Sequence, residues 1–135
     1  MNEETPAFGY LLDTHVALWA LERPEVLSAT ARQAAGEGPN VLSVVSYWEV
    51  VVKSMKGLLD VGDPRAWWLE ALDQLAARPL AVRPEHVGAV CGLPPLHKDP
   101  FDRMLIAQAT VEGLTLVSRD AEIARYASSN LRVVM

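Results

Sequence analysis

The sequence predicts a single α/β domain in which a parallel central sheet of about four to five short strands is flanked by helices. Short apolar runs of strand length alternate with longer segments of helical spacing along the 135 residues, a pattern typical of parallel sheets with right-handed crossovers. Half of the residues are hydrophobic, as in a packed globular domain. Since no repeat or linker divides the chain, we expect one domain over residues 1–135, with 1–7 as a loose tail.

The predicted strands are short, apolar and rich in β-branched residues, which favours the interior of a sheet. Glycine, proline and polar residues separate each strand from the helical segments beside it. In chain order, we expect strands at 9–12, 41–45, 80–82, 114–117 and 131–134.

Capping residues mark the predicted helices. Ser28 is suited to be an N-cap, Ser46-x-x-Glu49 matches a capping box, and Asp99-Pro100 supplies an N-cap followed by proline at the first helical position. A loop is expected at 92–99. In chain order, we expect helices at 14–21, from Ser28 to about 36–38, at 46–56, at 65–77 after Asp63-Pro64, at 84–90, from Asp99-Pro100 to Gly113, and at 120–127.

Composition narrows the class of protein. The formal net charge is −5, which disfavours a non-specific electrostatic binder of nucleic acid but not a nuclease whose carboxylates bind metal. Cys91 is the sole cysteine, so no intrachain disulfide can form, and the three histidines fit no zinc-finger spacing. We find no apolar stretch of membrane-spanning length and no secretory signal, and we expect a cytoplasmic protein.

Four acidic residues lie at element boundaries that should meet in space: Asp13, Glu49, Asp102 and Asp120. Asp13 and Asp120 follow predicted strands, and Glu49 and Asp102 lie near the starts of predicted helices. Ligands of parallel α/β sheets bind outside the carboxyl ends of the strands, and clustered carboxylates suit a hard cation such as Mg²⁺ or Mn²⁺. The pattern therefore indicates a metal site and, through it, phosphodiester chemistry.

Each acid also has a simpler interpretation. Asp13 could cap the helix that follows it, Glu49 could be the capping-box partner of Ser46, and Asp102 could play the same part for Asp99. Asp120 could instead stabilise a helix by its favourable interaction with the positive end of the helix dipole. Together, however, four carboxylates on one rim would repel, since two unit charges about 5 Å apart oppose each other by roughly 3 kcal/mol at an effective dielectric of 20.

Several segments resemble the PIN-domain family, specifically VapC-type toxins of toxin–antitoxin pairs. These segments follow the family's order over nearly the whole chain, whereas residues 60–96 carry little of the pattern. They are LLDTHVALW (11–19), SVVSYWEVVVKSMKGLL (43–59), HKDPFDRMLIAQATVEGLTLVSRD (97–120) and IARY (123–126).

The resemblance implies a PIN-like fold and an endoribonuclease that binds Mg²⁺ or Mn²⁺ through Asp13, Glu49, Asp102 and Asp120. It also implies a supporting role for Ser118. It further implies an RNA substrate, a cognate antitoxin that occludes the site, and a homodimer. Alternatives within the same fold are a non-catalytic RNA- or protein-binding module and a structure-specific DNA nuclease. A receiver-type signalling domain would need an adjacent acidic pair after the first strand, where this chain has Leu12-Asp13-Thr14.

Other residues near the acids have two interpretations each. Lys53 could contact a phosphate or form an i, i+4 pair with Glu49. Arg103 and Arg119 could contact the RNA backbone or be solvated surface residues. We interpret Asp99 as an N-cap, although it lies near enough to the site to be a ligand.

The four tryptophans divide into two pairs. Trp19 and Trp48 are expected in the core beside Asp13 and Glu49. Trp67 and Trp68 point about 100° apart on a helix, so we predict that one of them is exposed for a partner.

Overall fold

The computed structural model describes residues 8–135, and the predicted tail at 1–7 lies outside the described residues. Five parallel strands form one sheet in the order β3-β2-β1-β4-β5. The predicted parallel α/β architecture is confirmed. The strands are β1 (Tyr10–Leu12), β2 (Asn40–Ser43), β3 (Ala77–Leu80), β4 (Thr115–Val117) and β5 (Val133–Val134).

Seven α-helices within residues 8–135 connect and cover these strands, and a 3-10 turn at Pro24–Val26 follows the first of them. Most helices begin at the caps that the sequence predicted, including Ser28, Asp63, Asp99 and Asp120. The helices are α1 (Thr14–Glu22), α2 (Ala29–Glu37), α3 (Val44–Met55), α4 (Pro64–Gln74), α5 (Pro84–Val90), α6 (Pro100–Glu112) and α7 (Ala121–Ala124).

The core lies on both faces of the sheet because successive strand residues point to opposite sides. Leu12 faces one cluster, built with α1, α2 and α4. Leu11 faces the other, built mainly with α6 and the segment around α7. β1 lies at the centre, with Leu12 in register with Val117 of β4. The residues just after β1 and β4, Asp13 and Ser118, therefore leave the sheet side by side.

The predicted N-cap of α3 is wrong by three residues, because Ser43 and not Ser46 caps the helix. The strand ends at Ser43, whose hydroxyl accepts a hydrogen bond from the Val45 amide at 3.0 Å and so begins the helix at Val44. Ser46 lies within the first turn, fully buried, and accepts a 2.9 Å hydrogen bond from the Thr14 hydroxyl. The Ser46–Glu49 capping box does not form, because Ser43 caps the helix and the Ser46 hydroxyl is instead engaged by Thr14.

The predicted third strand is also displaced. α4 ends at Gln74 instead of 77, and Ala76 adopts a φ of 48° in the turn that leads into β3. The strand then runs over Ala77–Leu80 instead of 80–82. Pro79 makes a strand difficult to recognise in the sequence, because proline has no amide hydrogen to donate. β3 is an edge strand, where this missing hydrogen can be tolerated.

Candidate active site

Asp13 lies at the carboxyl end of β1 and is 4% exposed. One of its oxygens, Oδ1, accepts a hydrogen bond from the Val16 amide at 2.8 Å, so the predicted cap of α1 is present. The other, Oδ2, accepts one from the Ser118 hydroxyl at 2.5 Å. Burial raises the pKa of Asp13, against the lowering effect of these hydrogen bonds. The carboxylate is thus held in a fixed orientation in a site that disfavours its charge.

Ser118 links two of the acids. It follows β4, is fully buried, and its oxygen accepts a 2.9 Å hydrogen bond from the Asp120 amide while its hydroxyl donates to Asp13. Asp120 in turn caps α7 through Oδ1, which accepts from the Glu122 amide at 2.8 Å. The small hydroxyl side chain therefore fixes the spacing between the ends of β1 and β4.

Glu49 points inward from the second turn of α3 and is 1% exposed. Its Oε2 lies 2.7 Å from the ammonium nitrogen of Lys53, whereas Oε1 has no hydrogen-bond partner within residues 8–135. Partial burial acts to lower the pKa of Lys53, but the hydrogen bond and charge of Glu49 outweigh it and raise that pKa. The i, i+4 pair of Lys53 with Glu49 is present, and contact of Lys53 with a phosphate stays a prediction. Among the described residues, Glu49 retains one buried oxygen available to a ligand.

Asp102 and Asp99 occupy the amino-terminal turn of α6 in different ways. Asp99 turns back on the helix, and its Oδ1 accepts from the amides of Phe101 at 2.8 Å and Asp102 at 3.2 Å. Asp102 instead directs Oδ2 to within 2.8 Å of His97 Nε2. Burial first, then the charges of Asp99 and Glu49, raise the pKa of Asp102 to about 7. Asp102 therefore carries much of the electrostatic conflict among the acids.

His97 joins the acidic cluster, and the sequence analysis missed it. Its Nε2 also lies 3.2 Å from Asp120 Oδ2. His97, Asp102 and Asp120 each offer one ligand atom, and the three atoms lie within 4.8 Å of one another. The available signal was the position of His97 in HKDPFD, two residues before the cap of α6. Zinc-finger spacing was the wrong test, because the loop folds back onto this site.

Arg103 holds the loop that carries His97. Its guanidinium donates to the carbonyl oxygens of Pro94 at 3.1 Å and His97 at 3.2 Å, and to that of Val90 at 3.3 Å. The hydroxyl of Tyr126 accepts from the His97 amide at 2.8 Å and donates to the Pro94 carbonyl at the same distance. Arg103 is therefore not the merely solvated side chain of one interpretation, because it fastens the loop, and its contact with RNA stays a prediction.

The site has the donors that a hard divalent cation requires. The charges of Asp99, Glu49 and Asp13 each act to raise the pKa of Asp102, so these carboxylates share one electrostatic environment. Two observations fit a cation: the unpartnered Oε1 of Glu49 among the described residues and the raised pKa of Asp102. Buried carboxylates of like charge are unfavourable unless protonated or paired with a cation. Oxygen ligands suit Mg²⁺ or Mn²⁺.

The tryptophans are arranged differently from our expectation. Trp48 is 62% exposed, so its predicted place in the core is wrong, whereas Trp19 is half-buried against the core. Trp67 is buried, and Trp68 is half-buried and stacked on Tyr47 with ring centroids 4.9 Å apart. Trp48 sits edge-on to Phe101 at 5.0 Å. It lies in an apolar groove of about 830 Å³ between α3, α5 and α6.

Comparison with known proteins places these features in a family. The family model described as "PIN domain" matches residues 10–129, which include all four acids and Ser118. The curated ribonuclease VapC22 from Mycobacterium tuberculosis (strain ATCC 25618 / H37Rv) is 29% identical over 118 residues, covering 86% of this chain and 90% of VapC22.

Solved structures share the fold at low sequence identity. The chain is similar to VapBC2 from Rickettsia felis bound to a promoter DNA fragment, with a TM-score of 0.63, 15% identity and coverage of 92% of this chain and 96% of that one. It is also similar to VapBC-5 from Mycobacterium tuberculosis, with a TM-score of 0.60, 19% identity and coverage of 96% and 98%. Over residues 8–135, no helix has the length and apolar character needed to cross a bilayer.

Proposed function

The chain belongs to the PIN-domain family, and on that premise we propose that it is a metal-dependent endoribonuclease that acts as the toxin of a toxin–antitoxin pair. The observation that carries the proposal is the convergence of four acids at the carboxyl end of the sheet, of which Asp13 and Glu49 are buried. An unpartnered Glu49 oxygen among the described residues and a raised Asp102 pKa accompany it. The similarity to ribonuclease VapC22 supports RNA as the substrate.

The proposed ligands are Asp13, Glu49, Asp102 and Asp120. When bound, Mg²⁺ or Mn²⁺ would stabilise charge on the scissile phosphate and make a bound water more acidic. The protein itself fixes the orientation of the acidic side chains before the metal binds. Ser118 orients Asp13, and Lys53 pairs with one oxygen of Glu49, whose other oxygen has no hydrogen-bond partner in residues 8–135. Fixed groups of this kind need little reorganisation during the reaction.

His97 is a further member of the proposed site. Its Nε2 lies within hydrogen-bond distance of both Asp102 and Asp120. Arg103 and Tyr126 hold the backbone of this residue through direct hydrogen bonds. We therefore propose that the loop at 92–99 positions His97 for the reaction and that Arg103 is a positioning residue.

A protein partner is the second part of the proposal. The similar structures named above are described as VapBC proteins, and VapBC-5 is described as a member of a toxin–antitoxin family. We propose that a cognate antitoxin, and the second copy of a homodimer, use the exposed apolar surface of this chain. The groove that contains Trp48 and Phe101 is the best candidate, because it adjoins the first turn of α6. This replaces the predicted surface at Trp67 and Trp68.

The proposed activity can be tested with purified protein, structured RNAs and DNA of matching sequence. Each substrate is incubated with Mg²⁺, Mn²⁺ or excess EDTA, and the cut ends are mapped. We expect internal cuts in RNA that need the metal. Cleavage of DNA but not RNA would make the protein a DNA nuclease, and binding of RNA without cleavage in either metal would make it a non-catalytic module.

A further inference from the structure

We propose that the cleft beside the acidic cluster holds one unpaired base of the RNA, next to the scissile phosphate, against the rings of His15 and Trp19. This inference rests on the proposed ribonuclease function and specifies how the substrate is held. It assigns a role to the first turns of α1 that metal binding does not explain.

The rings form a prepared surface. His15 and Trp19 are one helical turn apart on α1, with ring centroids 5.5 Å apart and planes tilted by 37°. The guanidinium carbon of Arg119 lies 4.9 Å from the centre of the Trp19 ring. Arg119 is itself fixed by a 3.1 Å hydrogen bond to the carbonyl oxygen of Val26. His15 is exposed, whereas Trp19 is half-buried and covered on one side by Arg119, so the solvent-accessible aromatic surface is mainly that of His15 and the uncovered part of Trp19.

The cleft connects this surface to the proposed metal site. It has a volume of about 290 Å³ and is lined by Asp13, His15, Trp19, Arg119 and Asp120. His15 and Trp19 also line an adjoining cleft of about 410 Å³ that extends to Lys53. A strand lying along both clefts would pass the acids, with Arg119 at one end and Lys53 at the other to meet its phosphates.

The chemistry of the lining favours a base in a single strand. Proteins that hold single-stranded nucleic acid combine cations for the backbone with aromatic rings on which bases stack, and arginine adds a cation–π contribution. A base inside a duplex is already stacked and cannot reach such a surface. The volume lies near the lower end of the roughly 300–1,000 Å³ of ligand pockets, which suits one base better than a helical protein segment.

Steady-state kinetics on an RNA that the wild type cleaves provide the test. We expect Trp19→Leu and His15→Ala each to raise KM about tenfold with a smaller change in kcat, as loss of base stacking predicts. Trp19→Phe should restore most of the loss. Trp68→Leu is the matched control, since Trp68 is also a half-buried tryptophan packed against the same core cluster but on α4, and its KM should match that of the wild type.

Removal of single bases from the substrate tests the contact directly. An abasic nucleotide at one position beside the cut should raise the wild-type KM about tenfold, but it should add little in Trp19→Leu or His15→Ala, because the interaction is already lost. His15 is exposed, so His15→Ala keeps the test valid even if Trp19→Leu does not fold. Circular dichroism checks the fold of each variant.

An unchanged KM in folded His15→Ala and Trp19→Leu would overturn the inference, as would equal losses from the abasic substrate in wild type and variants. Weaker antitoxin binding by these variants with an unchanged KM would assign the cleft to the protein partner and also overturn it. Failure of the proposed function is a different result, namely a wild-type protein that cleaves no RNA in either metal.

Discussion

Replacing Asp102 with asparagine should stabilise the metal-free protein, because the site raises the pKa of this carboxyl to about 7. The pKa is higher in the folded protein than the ordinary value near 3.8. Between those values the folded state binds more protons than the unfolded state, so stability falls as pH rises through this window. Well below pH 3.8 the carboxyl is protonated in both states, and above about pH 7 nearly the full penalty is present.

The magnitude follows from the difference in pKa. About three pKa units at 1.36 kcal/mol each correspond to roughly 4 kcal/mol at pH 8. Since the interaction is shared with Asp99 and Glu49, we expect Asp102→Asn to recover about 2–4 kcal/mol there and about 1 kcal/mol at pH 5. Asparagine can still accept a hydrogen bond from His97. At roughly 3–5 °C per kcal/mol for a domain of this size, the Tm at pH 8 should rise by about 6 °C or more.

Thermal denaturation in EDTA from pH 5 to pH 8 measures this effect, with Asp73→Asn as the control because Asp73 is exposed on α4. Millimolar Mg²⁺ should raise the Tm of the wild type and of Asp73→Asn by binding the native state, and should raise that of Asp102→Asn less. A Tm of Asp102→Asn at pH 8 equal to or below that of the wild type in EDTA would show that the folded protein does not disfavour the ionised Asp102 carboxylate. So would a stabilisation that does not grow with pH.

Three further predictions concern roles assigned from the structure. Asp99→Asn should keep most of the ribonuclease activity, since asparagine caps as well as aspartate. Asp102→Asn should lose nearly all of it. Equal inactivation of both folded variants would show that Asp99 is a ligand. Tyr126→Phe should lower kcat about tenfold or more, because the loop bearing His97 loses the hydroxyl that anchors it. The Mg²⁺-induced rise in Tm should stay near that of the wild type. An unchanged kcat would show that this loop plays no part in the reaction. Trp48→Ala should weaken antitoxin binding or self-association by about 2 kcal/mol, as expected of an exposed aromatic anchor. Calorimetry or analytical ultracentrifugation would measure this loss. Leu69→Ala on α4 removes another exposed apolar side chain and should leave both interactions unchanged.

Sequence patterns predicted the elements well where caps and apolar runs agree. α6 is the best example, because Asp99 supplies the cap, Pro100 the first helical position and Gly113 the left-handed end. The prediction failed where two local signals compete. At 43–46 two serines could cap α3, and only the tertiary contact between Ser46 and Thr14 distinguishes them. At β3, Pro79 disfavours a strand by residue propensity, although an edge strand tolerates it.

The candidate site shows the same division. The carboxyl-end rule for parallel sheets placed Asp13 and Asp120 together, and the helix starts brought Glu49 and Asp102 toward them. His97 could not be placed in this way, because it lies in a loop whose path is set by Arg103 and Tyr126. The exposure of Trp48 could not be predicted from the sequence either, because it depends on which face of α3 packs against the sheet.

We propose that RNA cleavage depends on the binding of a divalent metal by these acids. The most direct test is the rate of RNA cleavage by wild type, Asp13→Asn and Asp73→Asn across a Mg²⁺ titration, with circular dichroism to confirm each fold. We predict activity that rises with Mg²⁺ in the wild type and in Asp73→Asn, and none above background in folded Asp13→Asn. Full wild-type activity in excess EDTA, or normal cleavage by Asp13→Asn, would contradict the account.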